Sequence, residues 1–247
     1  MWRRSVTVLL VRDDREYLRE PGEELQTDLG VLTVPEDVEP GDRLETHLGE
    51  AFTVRALRGP DLFHHFERTG APMMPRDVGL VLGETGIAAG ERVLDAGTGT
   101  GVLAAYLGRV GAEVCTYEHD PEFADVAREN MALAGVADRV DVRAGDVTGE
   151  LDTLAKGEPF DAITLDTGDA PAVVERAPDL LAPGGHVAAY TPFVEGAREV
   201  EETAREAGLS AETKETIQRR MDFDERGSRP QTAGVGHTGY LTIGRLD

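Results

Sequence analysis

The sequence predicts an α/β protein, a doubly wound, largely parallel seven-stranded sheet over residues 91–247 behind a small β module over residues 1–60. Three observations predict it. From Glu91 onward, short apolar β-rich runs alternate with longer helical runs, the pattern of strand–helix–strand crossovers. A glycine loop, "GTGTG", stands between the first of these strands and the first helix, the usual place for a ligand-binding turn. Before Glu91 the rhythm differs, with β-rich runs following one another across turn signals and few helical stretches between them.

In chain order, "VTVLLV", "GVLTV", "RLETHL" and "FTVRAL" read as four or five short strands of a barrel-like module, separated by Pro21-Gly22, Leu29-Gly30 and Pro40-Gly41. Residues 61–90 read as a helical linker. Then "RVLDAG" is a strand, "VLAAYLGRVG" a helix and "AEVCTYE" a strand. "PEFADVARENMALAG" is a helix with proline at its start and glycine at its end. "RVDVRAGD" and "FDAITLD" are strands, "PAVVERAPDLLAPGG" a helix stopped by Pro-Gly-Gly, "HVAAYTP" a strand and "EGAREVEETAREAG" a helix. "SAETKETIQRRMDF" and "VGHTGYLTIGRLD" read as the two closing strands.

Composition narrows the classes. A single cysteine, Cys115, rules out a disulfide framework within the chain and suits a cytoplasmic protein; mid-strand, it reads as a small core hydrophobe. The run Val6 to Val11 is too short for a signal-peptide core or a membrane span and reads as a first strand. Net charge is −22, and the only lysines are Lys156 and Lys214. Carboxylates spread along the whole chain fit a DNA-avoiding acidic protein or adaptation to molar salt, where their self-repulsion is screened within a few ångströms, and the near absence of lysine favours the second. A GC-rich genome would also favour arginine over lysine. In molar salt counterion release no longer drives phosphate binding, so acidity does not exclude a nucleic-acid substrate.

Three landmarks carry the chemistry. In "VLDAGTGTG", Gly97, Gly99 and Gly101, with Thr98, Thr100 and Val102, form the loop that lets a ligand approach the backbone. The spacing is not the G-x-G-x-x-G of dinucleotide sites, which argues against a nicotinamide-linked dehydrogenase. Glu118 ends the next strand, where two carboxylate oxygens suit the two hydroxyls of a ribose. Asp146, followed by Val147, ends the strand after that; it suits an adenine amino group and equally suits a helix cap.

Together these signals resemble the class I S-adenosylmethionine-dependent methyltransferases, whose fold is Rossmann-like. The β-rich start with "DLGVLTV", the segment "PMMPRDVGLVL", the strand end "LDTGDAP" and the ending "RPQTAGVGHTGYLTIGR" are similar to the tRNA (adenine-N1)-methyltransferase family of archaeal type. The resemblance implies methylation of T-loop adenine 58, and also 57, in tRNA, with S-adenosylmethionine as cofactor. It further implies a homotetramer and an N-terminal β module that helps to hold tRNA. The chain has Gly70-Ala71 and Met74 where the family has Thr-Gln and a tyrosine, and Gly168 and Ala170 where it has prolines; Met74 is thereby a candidate substrate contact.

Asp166 then stands at the carboxyl edge of the sheet beside the transferable methyl group, as a cofactor contact and as the candidate catalytic residue. Adenine N1 is unprotonated at neutral pH and needs no base to free its lone pair. Methylation makes the ring cationic, and a carboxylate accepting from the exocyclic amino group would stabilise that charge and exclude bases with a carbonyl there. Its structural alternative is a helix cap. Asp169 reads as a loop or cap residue and His237 as a structural one. The histidines show no ligand spacing, so no metal is expected. "QRRMDFDERGSR" holds Arg219, Arg220, Arg226 and Arg229, which suit tRNA phosphate or ion pairs at a subunit interface. The competing functions are another class I methyltransferase acting on protein or small molecules, and a non-catalytic tRNA-binding subunit of the same fold.

Overall fold

The computed structural model describes residues 7–234 and 236–247. Val6 and Val235, at the head of two of the expected strands, lie outside the described residues. Two compact units divide the chain. The first ends at Phe66 and takes in Leu133–Gly135; the second is Glu67–Ala132 with Val136–Asp247.

The first unit contains β1 (Val8–Arg12), β2 (Arg15–Arg19), β3 (Glu24–Thr27), β4 (Gly30–Thr33), β5 (Arg43–Glu45), β6 (Ala51–Ala56) and α1 (Gly59–His65). An antiparallel sheet of order β2-β1-β6-β5 is joined by the ribbon β3–β4. Strand alternation makes the core: Phe52 and Val54 point inward from β6 while Thr53 and Arg55 face solvent. Val8, Leu10, Leu25, Leu32 and Val34 complete it. His47 stitches the ribbon to the turn before β6, accepting from Val31 N at 2.9 Å and returning its own N–H to Val31 O at 2.9 Å.

The second unit begins with α2 (Pro75–Thr85), so the span expected as a linker is divided, α1 in one unit and α2 in the other. It continues with β7 (Arg92–Ala96), α3 (Val102–Val110), β8 (Glu113–Glu118), α4 (Pro121–Ala134), β9 (Val140–Ala144), a 3-10 turn (Val147–Glu150) and α5 (Leu151–Leu154). Then come β10 (Phe160–Leu165), α6 (Ala170–Glu175), α7 (Ala177–Leu180), β11 (Leu181–Thr191), α8 (Val194–Glu206), β12 (Ser210–Glu215), β13 (Met221–Asp224), β14 (Gly227–Pro230) and β15 (Tyr240–Arg245). The seven-stranded sheet runs β12-β15-β11-β10-β7-β8-β9. It is parallel from β9 to β11, while β15 is antiparallel to both of its neighbours. Leu94, Ile163, Leu165, Val187 and Ala189 bury one face of the sheet in a cluster with α6, α7 and α8. Asp95, Thr164 and Tyr190 alternate to the other face, on which α2 contacts β11.

Two expectations need correction. Pro183-Gly184-Gly185 does not stop a helix; the helix ends at Leu180, and the three residues sit inside β11. The β10–β11 register shifts there, between Phe160↔Leu181 and Ala162↔His186. A side chain on Gly185 would lie 3.0 Å from Asp161 O, so glycine serves a bulge of close strand approach. Nor is "SAETKETIQRRMDF" one strand. Pairing with β15 ends at Glu215, and Met221–Asp224 instead folds back on Gly227–Pro230 as a separate hairpin.

Candidate active site

Parallel strands with right-handed crossovers bring their carboxyl ends to one edge, and there the glycine loop, Glu118, Asp146 and Asp166 meet. The loop is tightly determined. Gly97 has φ +85°, and a Cβ on it would stand 2.0 Å from the carbonyl oxygen of Asp166, so only glycine allows the β7 and β10 ends to close on each other. The Thr98 and Thr100 hydroxyls do not face the cleft: Thr98 pairs with Thr116, and Thr100 accepts from Thr69 N at 3.3 Å. Asn130, buried on α4, grips the loop from behind, donating to Thr100 O (2.9 Å) and Glu67 O (3.0 Å) while accepting from Glu67 N (3.1 Å). It thereby ties residues 67–69 to the glycine turn.

A cleft of about 340 Å³ opens above the loop, lined by Gly97, Gly99, Glu118, Asp146, Val147 and Asp166. A recess of about 60 Å³ beside it is lined by Thr98, Thr100, Gly101 and Val102. Glu118 is held by backbone: one oxygen accepts from Gly99 N at 2.7 Å, the other from Asp120 N at 3.1 Å. Each oxygen keeps a second lone pair for a ligand hydroxyl. Asp146 lies beyond the end of β9 and caps the 3-10 turn, Oδ1 accepting from both Thr148 N (2.8 Å) and Thr148 Oγ1 (2.7 Å). Those bonds hold its carboxyl below the usual range. The capping role is therefore real, and the second oxygen stays available to a ligand.

Asp166 is the odd member. It follows Leu165, whose register partners are Ala96 on β7 and Ala189 on β11, so Asp166 comes one residue beyond the ladder, level with Gly97 and Tyr190. Its backbone N–H donates to Ala96 O at 2.9 Å, and no described residue hydrogen-bonds its carboxylate. Burial, and then the charge of Asp95, push its pKa up to about 7. Asp95 is wholly buried and accepts from Thr116 and Thr164, with burial raising its pKa too. Asp166 also lines a second, more apolar pocket of about 590 Å³, with Thr167, Pro171, Tyr190, Pro192 and Phe193. The two cavities thus share Asp166 and Thr167.

Farther along the edge, a cleft of about 990 Å³ brings together Met74, Arg219 and Arg220, with Arg76 and His237. Arg226 and Arg229 are not among its lining residues. They lie on the β13–β14 hairpin, where Arg226 pairs with Asp224 (3.2 Å) and Arg229 stands opposite Asp222 in register. Under this cleft, the "PRD" and "GHTGY" segments meet. The Thr238 hydroxyl donates to buried Asp77 at 2.9 Å and accepts from Arg76 at 2.9 Å. Among the described residues no group of three or more His, Cys, Asp or Glu could hold a metal, and no helix is long and apolar enough to cross a membrane.

A methyltransferase-domain family model matches residues 93–185. The tRNA (adenine(57)-N(1)/adenine(58)-N(1))-methyltransferase TrmI of Methanocaldococcus jannaschii is 32% identical over 266 residues, covering 95% of this chain and 92% of that protein. The chain belongs to the TrmI family. The tRNA (adenine(58)-N(1))-methyltransferase TrmI of Thermus thermophilus is 29% identical over 207 residues, covering 82% of this chain and 80% of its own. The solved structure of the tRNA (m1A58) methyltransferase TrmI of Aquifex aeolicus shares the fold, with TM-score 0.73 over 99% of this chain and 98% of that one at 24% identity. A SAM-dependent O-methyltransferase from Thermotoga maritima superposes at TM-score 0.81, over 99% and 94%, also at 24% identity.

S-adenosylmethionine is the cofactor of this TrmI-family chain, and the cleft fits it. A Cβ on Gly99 would meet no atom closer than 3.9 Å, so the loop backbone is open there, and Glu118 offers two spare lone pairs 19 residues after Gly99. Several lining residues escaped the sequence reading. Thr69, His119 and Phe123 share the cleft. His119 and Phe123 follow Glu118 closely in the chain, and that adjacency was their signal. Tyr190 escaped as well, although an aromatic at the end of the strand beside β10 could have marked it. Its hydroxyl lies against Thr238, and its pKa is raised by burial.

Proposed function

We propose that the protein methylates N1 of an adenine in the T loop of tRNA, at position 58 with 57 as a second target. The reading is carried by one observation: Asp166, with no hydrogen-bond partner for its carboxylate among the described residues and a pKa pushed up to about 7, lies where the cofactor cleft and the apolar pocket meet. Glu118 and Asp146 would hold the ribose and adenine of S-adenosylmethionine, and Gly97 and Gly99 would let its tail approach the backbone. When bound, the cofactor supplies an electrophilic methyl group on a sulfonium. The target base enters the pocket walled by Tyr190, Pro192 and Phe193, turned out of the tRNA core because N1 lies on its pairing edge. Ionised Asp166 accepts a hydrogen bond from the exocyclic amino group and so stabilises the positive charge the ring acquires at N1. It then takes the surplus proton, and a pKa near the working pH suits both tasks. A base presenting a carbonyl at that edge would face Asp166 acceptor to acceptor and be rejected.

Met74, Arg219 and Arg220 face the tRNA body from the large cleft, with the first unit as a further tRNA contact. The protein works as a homotetramer in the cytoplasm of a halophile; net charge −22 with two lysines supports the salt adaptation. The test is to incubate the protein with labelled S-adenosylmethionine and unmodified tRNA transcript in molar KCl, then map reverse-transcription stops. A stop at position 58 is expected. Intact cofactor binding without a T-loop stop would overturn the proposal.

A further inference from the structure

β11 ends its ladder at Thr191, paired with Tyr240, and the chain then turns through Pro192 and Phe193 to enter α8. His237 touches that turn. Its Nε2 lies 3.1 Å from the Pro192 carbonyl oxygen, and its Nδ1 lies 2.7 Å from Glu215 Oε1 at the end of β12. A peptide carbonyl and an ionised carboxylate can only accept, whereas a neutral imidazole has a single N–H. Both contacts are hydrogen bonds only when the ring carries both protons.

Four groups face the imidazole. Glu215 from β12 favours the protonated ring, as does the Pro192 carbonyl; Arg76 from α2 opposes it; and the Tyr240 ring of β15 lies against it, 4.9 Å between centroids. The balance lies on the side of protonation, above the ordinary histidine value of 6.5.

We propose that His237 is a positioning residue: as an imidazolium it ties the Pro192 carbonyl to Glu215 and so fixes the Tyr190–Phe193 turn that walls the base pocket beside Asp166. The inference rests on the reading of that pocket as the base site. It explains why a histidine precedes Thr238, whose own bonds reach Arg76 and Asp77: the two neighbours fasten the closing segment, one to the turn after β11 and the other to the start of α2. The sign follows from the raised pKa. The double tie is complete below about pH 6.5 and is lost as pH rises through the higher folded value. Asp166 acts the other way, becoming an acceptor as pH rises through about 7. Methyl transfer then has a bell-shaped profile, its alkaline limb set by His237.

The experiment has two readouts. Long-range proton–nitrogen NMR of the full chain at pH 7, where an ordinary imidazole is mostly neutral, reports the ring directly; both His237 nitrogens protonated in most molecules is the expected result, and a mostly neutral single tautomer would overturn the proposal. Methyl-transfer profiles then compare wild type with His237→Gln and His237→Asn. The Gln amide still donates toward Pro192 and does not titrate, so it keeps kcat and loses the alkaline limb. The Asn amide reaches only toward Glu215 and lowers kcat about tenfold at all pH, the loss of one charge-assisted hydrogen bond. Cofactor Kd stays unchanged in both. Parallel alkaline limbs in wild type and His237→Gln would sink the positioning role. If no variant and no wild type methylates tRNA, the base-site reading falls, and the positioning role falls with it, while the NMR result still decides the protonation of His237.

Discussion

Along one edge of the same sheet, the β7–β9 half and the β10–β15 half treat their acids in opposite ways. Glu118 and Asp146 in the first half are each satisfied by hydrogen bonds from their own loops, Glu118 through two backbone N–H groups and Asp146 through Thr148. Asp166 in the second half has burial without a hydrogen-bond partner for its carboxylate among the described residues, and its pKa rises to about 7. Hydrogen bonds from its own loop favour the charged form of Asp146, whereas a group left unsatisfied in a low-dielectric site holds its proton near neutrality and can exchange it. On the proposed function, the first half holds a constant ligand and the second responds to a changing charge.

The largest expected effect breaks the second half alone. Asp166→Ala should lower methyl transfer by about 10² to 10⁴-fold, the usual span for a lost acid–base or charge-stabilising group, with cofactor Kd unchanged by calorimetry. Equal loss of both would erase the distinction between the halves. Asp166→Asn sharpens it through stability. The folded carboxyl keeps its proton from 3.8 up to about 7 whereas the unfolded one does not, so rising pH across that window favours unfolding of the wild type. The Asn variant should therefore melt above wild type at pH 8 and match it near pH 4.

Gly97→Ala strikes the seam between the halves. A Cβ 2.0 Å from the Asp166 carbonyl at φ +85° should cost about 3 kcal/mol or more in urea unfolding and weaken cofactor binding with it. Glu118→Gln tests the first half. It should raise cofactor Kd by about tenfold to a hundredfold, the cost of one to two good hydrogen bonds, while kcat at saturating cofactor holds. A fall in kcat instead would place Glu118 in the chemistry. Asp146→Ala is expected to be smallest, about 1 kcal/mol of stability from the lost cap and a modest rise in Kd.

The first half was the more legible one. Glycine loop, Glu118 and Asp146 follow one another as strand, turn, helix, strand, and each acquires its place from local order alone. Asp166 was legible because it ends a strand of the same series. The register shift at Pro183-Gly184-Gly185 and the β13–β14 hairpin were not, since each is decided by which distant strand offers a partner. Asn130 gave no signal on its helix, because its three bonds go to Glu67 and to Thr100.

The sequence by itself determined the alternation that makes a parallel sheet, the edge on which its acids gather, and the glycines that let β7 and β10 meet there. These follow from periodicity, from crossover handedness and from the φ values only glycine adopts freely. Tertiary structure alone decided that the Thr98 and Thr100 hydroxyls turn away from the cleft, that no described residue hydrogen-bonds the Asp166 carboxylate, and that His237 faces two acceptors. Those outcomes depend on what a folded neighbour presents at about 3 Å, which residue order does not encode locally.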